Sequence, residues 1–150
     1  MEEVIVIPDV IELIQNNSLP EEIRAPDGTL LMKPYGTWRE QPLVLNKKVW
    51  RLFANYVPME NYPDQNRWIA RVNTTGQIIE NHDPDLASML YYIRVINPGA
   101  TIDEVVSNEL ARTVQETGPF KNDEEFMNYA FLLYLALALA IQHGLLILVK

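Results

Sequence analysis

No cysteine occurs in the 150 residues of this chain. Disulfides, thiolate catalysis and zinc–thiolate sites are therefore excluded, and the composition suits a reducing compartment, the cytoplasm or a particle assembled there. Histidine is almost as scarce, with only His82 and His143 available as imidazole bases or ligands. The six glycines are scattered, so no glycine-rich phosphate loop can form, and no serine sits in a nucleophile-elbow setting. Positive charge is the minority: 12 Lys and Arg stand against 20 Asp and Glu, a net −8 that argues against coating by nucleic acid through bulk charge. Met1–Ile7 has neither the basic start nor the long apolar run of a secretory signal. No cofactor is implied, and the absences together favour a non-enzymatic protein.

What is present is unevenly distributed. Residues 1–32 carry seven acids and one base, and residues 72–150 carry ten acids and four bases, so each end is net −6. Residues 33–71 hold seven bases against three acids, a net +4, together with all three tryptophans. Cations interleaved with aromatic rings can hold single-stranded nucleic acid, rings taking bases and cations taking phosphates. The candidate contacts for nucleic acid or another partner are Lys33, Trp38, Arg39, Lys47, Lys48, Arg51, Arg67 and Arg71. A plainer reading puts Trp50, Phe53 and Tyr56 in the core and leaves the cations on a wet face.

Along the chain, the β-branched run Val4–Ile7 predicts a strand, followed by a short helix carrying Val10, Ile11, Leu13 and Ile14. Pro26-Asp27-Gly28 between apolar flanks predicts a hairpin over 23–32, and Asn73-Thr74-Thr75-Gly76 predicts a second over 67–80. Asn46 can cap a helix bearing Val49, Trp50, Leu52, Phe53 and Tyr56, stopped by Pro58. Three further helix starts are signalled by local chemistry: Asp83-Pro84, Thr101 with Glu104, and Asn122 with Glu125. These readings predict a mainly α fold with small β-hairpins (α+β). One domain covers 1–150, with 1–80 mixed and rich in proline stretches, and 83–150 a three-helix half.

From Met127 to Val149 no charged residue occurs. About 20 apolar residues can span a bilayer, yet Gln142, His143 and Gly144 interrupt the run and its start is acidic. A buried central helix over 123–142 is the favoured reading, with Gly144 as its cap and Leu145–Val149 either a short strand or an extension of the helix; as a strand, it is a natural partner for Val4–Ile7. His82, among Glu80, Asp83 and Asp85, reads as a wet loop entering a helix rather than a metal site.

A positive middle between negative ends favours head-to-tail contact between copies. The expected function is a self-assembling structural or interaction subunit, such as occurs in a virus or phage particle or a filament. Two alternatives stand beside it: a small subunit of a nucleoprotein complex, and an acidic immunity or inhibitor protein that blocks a basic partner. A protein partner or a homo-oligomer is thus expected, nucleic acid is an alternative, and a membrane is disfavoured.

Overall fold

A computed structural model describes residues 3–34, 50–59 and 67–150. Strand β1 (Val4–Val6) gives way at Pro8 to helix α1 (Val10–Gln15), with Asp9 as its N-cap residue. Strands β2 (Ile23–Arg24) and β3 (Leu30–Met32) pair antiparallel around the expected turn. There the Asp27 carboxylate accepts the Thr29 N–H at 2.9 Å while Gly28 takes the left-handed φ of 92° that the turn requires.

Strands β4 (Arg51–Ala54) and β5 (Tyr56–Pro58) come next, then the hairpin of β6 (Trp68–Val72) and β7 (Ile78–Asn81). Helix α2 (Pro84–Tyr91) starts on the Asp83 cap and continues as a π-helical turn over Tyr92–Ile96, closed by the Asn97 N–H donating to the Tyr92 carbonyl. Helix α3 (Ile102–Thr117) opens on a complete Thr101–Glu104 capping box. Helix α4 (Asp123–Gln142) opens on Asn122, whose side chain accepts the Glu125 N–H. Strand β8 (Leu146–Val149) ends the chain.

The main sheet has the order β1-β7-β6-β5, with β1 parallel to β7 and the other pairs antiparallel. The fold is α+β, with 44% helix and 23% strand, and the mainly α class expected from the sequence is corrected. The error lies at 50–58. Leu52, Phe53 and Tyr56 are spaced i, i+1 and i+4, which fits a helix face, but Leu52 and Tyr56 also share one face of an alternating strand. Strand pairing decides between the two periods: Leu52 faces Leu148 on β8 and Tyr56 faces Val72 on β6. Asn46–Val49, the expected start of that helix, lies outside the described residues.

The expected pairing of the two chain ends is also corrected. Strand β8 runs antiparallel to β4, and β1 pairs with β7 instead. Asn55 locks this arrangement from a buried position. Its N–H donates to Leu145, its amide to the Gly144 carbonyl at 2.8 Å and to the Thr74 hydroxyl at 3.0 Å, and its carbonyl accepts from Asn73.

Helix α4 organises the core. It is long and apolar enough to cross a membrane by length and composition alone, yet Leu133–Ile141 are buried without a break inside the protein. It touches α1, α2, α3, β2, β3 and β8. Ala136 and Ala140 lie one turn apart on one side and Ala138 faces nearly opposite, so neighbours approach closely on both. The helix therefore centres the amino-terminal hairpin as well as the carboxy-terminal helices.

Candidate functional site

The main sheet has one face on the core and one open. Trp68, Ala70, Val72, Ile79 and Tyr56 are buried on the inner side. Strand alternation sends Val57, Ile69, Arg71, Ile78, Glu80, Val4 and Val6 to the other, where Ile78 is itself buried. Register places Val57, Arg71, Ile78 and Val4 in one row across the strands, and Ile69, Glu80 and Val6 in the next. A one-sided sheet ordinarily turns polar residues to water. Here Val4, Val6, Val57 and Met59 are 45%, 53%, 55% and 46% exposed. Charged groups interrupt this apolar field. Arg67 holds Glu80 at 2.9 Å, and His82 reaches the other Glu80 oxygen at 3.1 Å. Those bonds, from His82 first and then Arg67, hold the Glu80 carboxyl below its ordinary range.

The sequence-derived contact residues divide among several places. Arg67 and Arg71 stand on the open sheet face, Arg51 on the outer side of β4 with its guanidinium on the Gly99 carbonyl, and Lys33 at the end of β3. Trp38, Arg39, Lys47 and Lys48 lie outside the described residues. Trp68, next to Arg67 in the chain, is buried on the core side, and Trp50 is half-buried with the Lys150 ammonium 5.7 Å from its ring centre. Neither presents a free face for a base beside Arg67 and Arg71.

The acidic residues converge more tightly than the sequence suggested. Glu109 is 1% exposed yet points among helices, where Arg112 forks onto both of its oxygens and also reaches Glu116 at 2.7 Å. Burial pushes the Glu109 carboxyl up, and the Arg112 bonds pull it back. The Thr113 and Tyr129 hydroxyls share a 3.1 Å hydrogen bond beside this pair, tying α3 to α4. One helix-end away, Asp9, Asp83 and Asp85 line a cavity of about 300 Å³ with Tyr129, Leu132 and Leu133.

Burial, then the neighbouring Asp85 charge, pushes Asp83 up to about 6 although it accepts the Asp85 N–H as the α2 cap. A carboxyl whose folded pKa is raised binds its proton more tightly in the folded state. It contributes stability at low pH that is lost as pH climbs from about 4 to about 6. Asp83→Asn keeps a capping oxygen and should abolish this loss. The wild type minus Asp83→Asn difference in thermal midpoint, measured from pH 4 to pH 7, should move against the wild type as pH rises. A constant difference would show that Asp83 stays ionised throughout.

A second, more open groove of about 710 Å³ runs along the α3–α4 elbow and shares Tyr129 and Leu132 with the acidic cavity. Among the described residues no three His, Asp or Glu side chains, Asp9, Asp83 and Asp85 included, stand where they could hold one metal ion. His143, the C-cap residue of α4, is held toward its neutral form by burial. The Glu109–Arg112 pair escaped the sequence reading, but a signal existed. Glu109 sits three and four residues after Val106 and Val105, on the apolar face of α3. A charge there implies a partner, and Arg112 is one turn on. Comparison with protein-family models, with curated proteins and with solved structures finds no match for this chain.

Proposed function

We propose that this chain is a non-enzymatic structural subunit that self-associates through the open face of its four-stranded sheet. The observation that carries this reading is the apolar field of Val4, Val6, Val57 and Met59 left in water around Arg67, Arg71 and Glu80. Exposed apolar side chains on both edge strands, with charged groups on the strands between them, fit the mixed composition of a protein contact. Because cations and a carboxylate share the face, two copies turned about a twofold axis can oppose unlike charges.

Contact with single-stranded nucleic acid is the weaker reading, since Trp68 stacks into the core rather than beside Arg67 and Arg71. The inhibitor reading would use the acidic surfaces and leave the apolar sheet face unexplained.

Val6→Lys combined with Val57→Lys places charge on both edge strands of the face without touching the core. At tens of micromolar and high salt, light scattering on the wild type should give a mass of at least two chains, and the double variant should give one. Matched far-ultraviolet circular dichroism would establish that the variant is folded. A wild type that runs as a single chain overturns the reading.

A further inference from the structure

The α3–α4 elbow groove has a composition of its own. Phe120, Tyr129 and Leu132 form its apolar part, and Glu124 and Glu125 line its edge. Phe120 meets Phe126 edge-on at 5.5 Å and 82° and Tyr129 at 5.7 Å, while Phe126 remains 43% exposed. The first turn of α4 attracts anions by its dipole, but Asp123, Glu124 and Glu125 already answer that charge and leave an excess. Rings beside carboxylates in a wet groove select a side chain with an apolar stem and a cationic head, which is Lys or Arg.

This chain carries such a ligand. Residues 33–51 contain Lys33, Arg39, Lys47, Lys48 and Arg51 against Glu40, a net charge of 5 − 1 = +4, with Tyr35, Trp38 and Trp50 among them. The remainder of the chain is then −8 − 4 = −12. The ends of that tract stand elsewhere on the same molecule: Lys33 borders a groove with Asn17, Leu19 and Glu21, and Arg51 is bonded to Gly99.

We propose that the elbow groove docks the basic tract 33–51 of a second copy, making a heterologous, head-to-tail contact. This rests on the self-association proposed above and extends it. Twofold pairing of sheet faces stops at two chains, whereas a heterologous contact lets pairs grow into a filament or shell.

Two full-length variants separate the surfaces: Glu124→Lys with Glu125→Lys in the groove, and Lys47→Glu with Lys48→Glu in the tract. At low salt the wild type should exceed two chains by light scattering, and the excess should fall as salt screens the charges. Each variant should stop at two chains, and mixing the two should restore growth, because each supplies the surface the other lacks. Glu124→Gln with Glu125→Gln, which leaves the Asn122 cap intact, should weaken growth in the same direction and guards against a folding effect.

If the variants grow like the wild type, or the wild type itself stops at two chains, the groove proposal is overturned and the sheet-face reading stands. If the wild type is a single chain, both fail. If the wild type binds added oligolysine and the groove variant does not, while their masses agree, the groove belongs to a different basic partner and self-docking is overturned.

Discussion

Leu137→Ala is expected to destabilise the protein by about 3 kcal/mol, the usual scale for opening a cavity in a core that cannot collapse around it. Leu137 is 0% exposed and sits at the middle of the stretch of α4 that is buried on every side. A helix at the edge of a domain could shift toward the gap. This one is held by α1, α2 and α3 and by strands β2, β3 and β8, so relaxation on one side opens space on another. The same reasoning gives Ala138→Leu a cost of about 1–3 kcal/mol by overpacking. Phe126→Ala, near the exposed start of the helix, should cost much less. Urea unfolding of the three variants checks the order. Similar midpoints for Leu137→Ala and Phe126→Ala would show that α4 is not the centre of the core.

Arg112→Met should have the next largest effect, again about 3 kcal/mol or more at neutral pH, because breaking a buried ion pair strands the remaining charge. Arg112 is partly exposed and can be replaced without a cavity, whereas Glu109 is enclosed and cannot reach water. The pH dependence distinguishes charge from packing. Burial already pushes Glu109 up, and removing the guanidinium that pulls it back raises it further. A raised folded pKa means stability present at low pH and lost as pH rises through that value. The defect of Arg112→Met should therefore be smaller at pH 5 than at pH 7. Adding Glu109→Gln should recover part of the loss at pH 7. A defect that is the same at both pH values and is not relieved by Glu109→Gln would assign Arg112 a packing role only.

The parts of this fold that are legible in the sequence are those set by neighbours in the chain. Asp83-Pro84, Thr101 with Glu104, and Asn122 with Glu125 mark three helix starts through bonds closed within four residues, and the structure has a helix at each. The turns at Asp27-Gly28 and at Asn73–Gly76 are local in the same sense, and both hairpins form.

What was not legible depends on distant partners. Arg51–Tyr56 is short and apolar at positions that satisfy either period, and it becomes strand through residues 146–149 and 70–72. The choice of β7 rather than β8 as the partner of β1 likewise has no local signature. For the candidate surfaces the difference is again one of period. Alternation along 68–72 placed Trp68 opposite Arg71, which already separates the ring from the cations. The apolar character of the outer face becomes visible only when β1, β5, β6 and β7 lie side by side.

We propose that this chain does not act alone. Light scattering on the full chain across a concentration series at high salt, with the Val6→Lys, Val57→Lys variant in parallel, tests it most directly. A wild-type mass of two or more chains that collapses to one in the folded variant is the expected result. A wild type that stays at one chain across the series would contradict it.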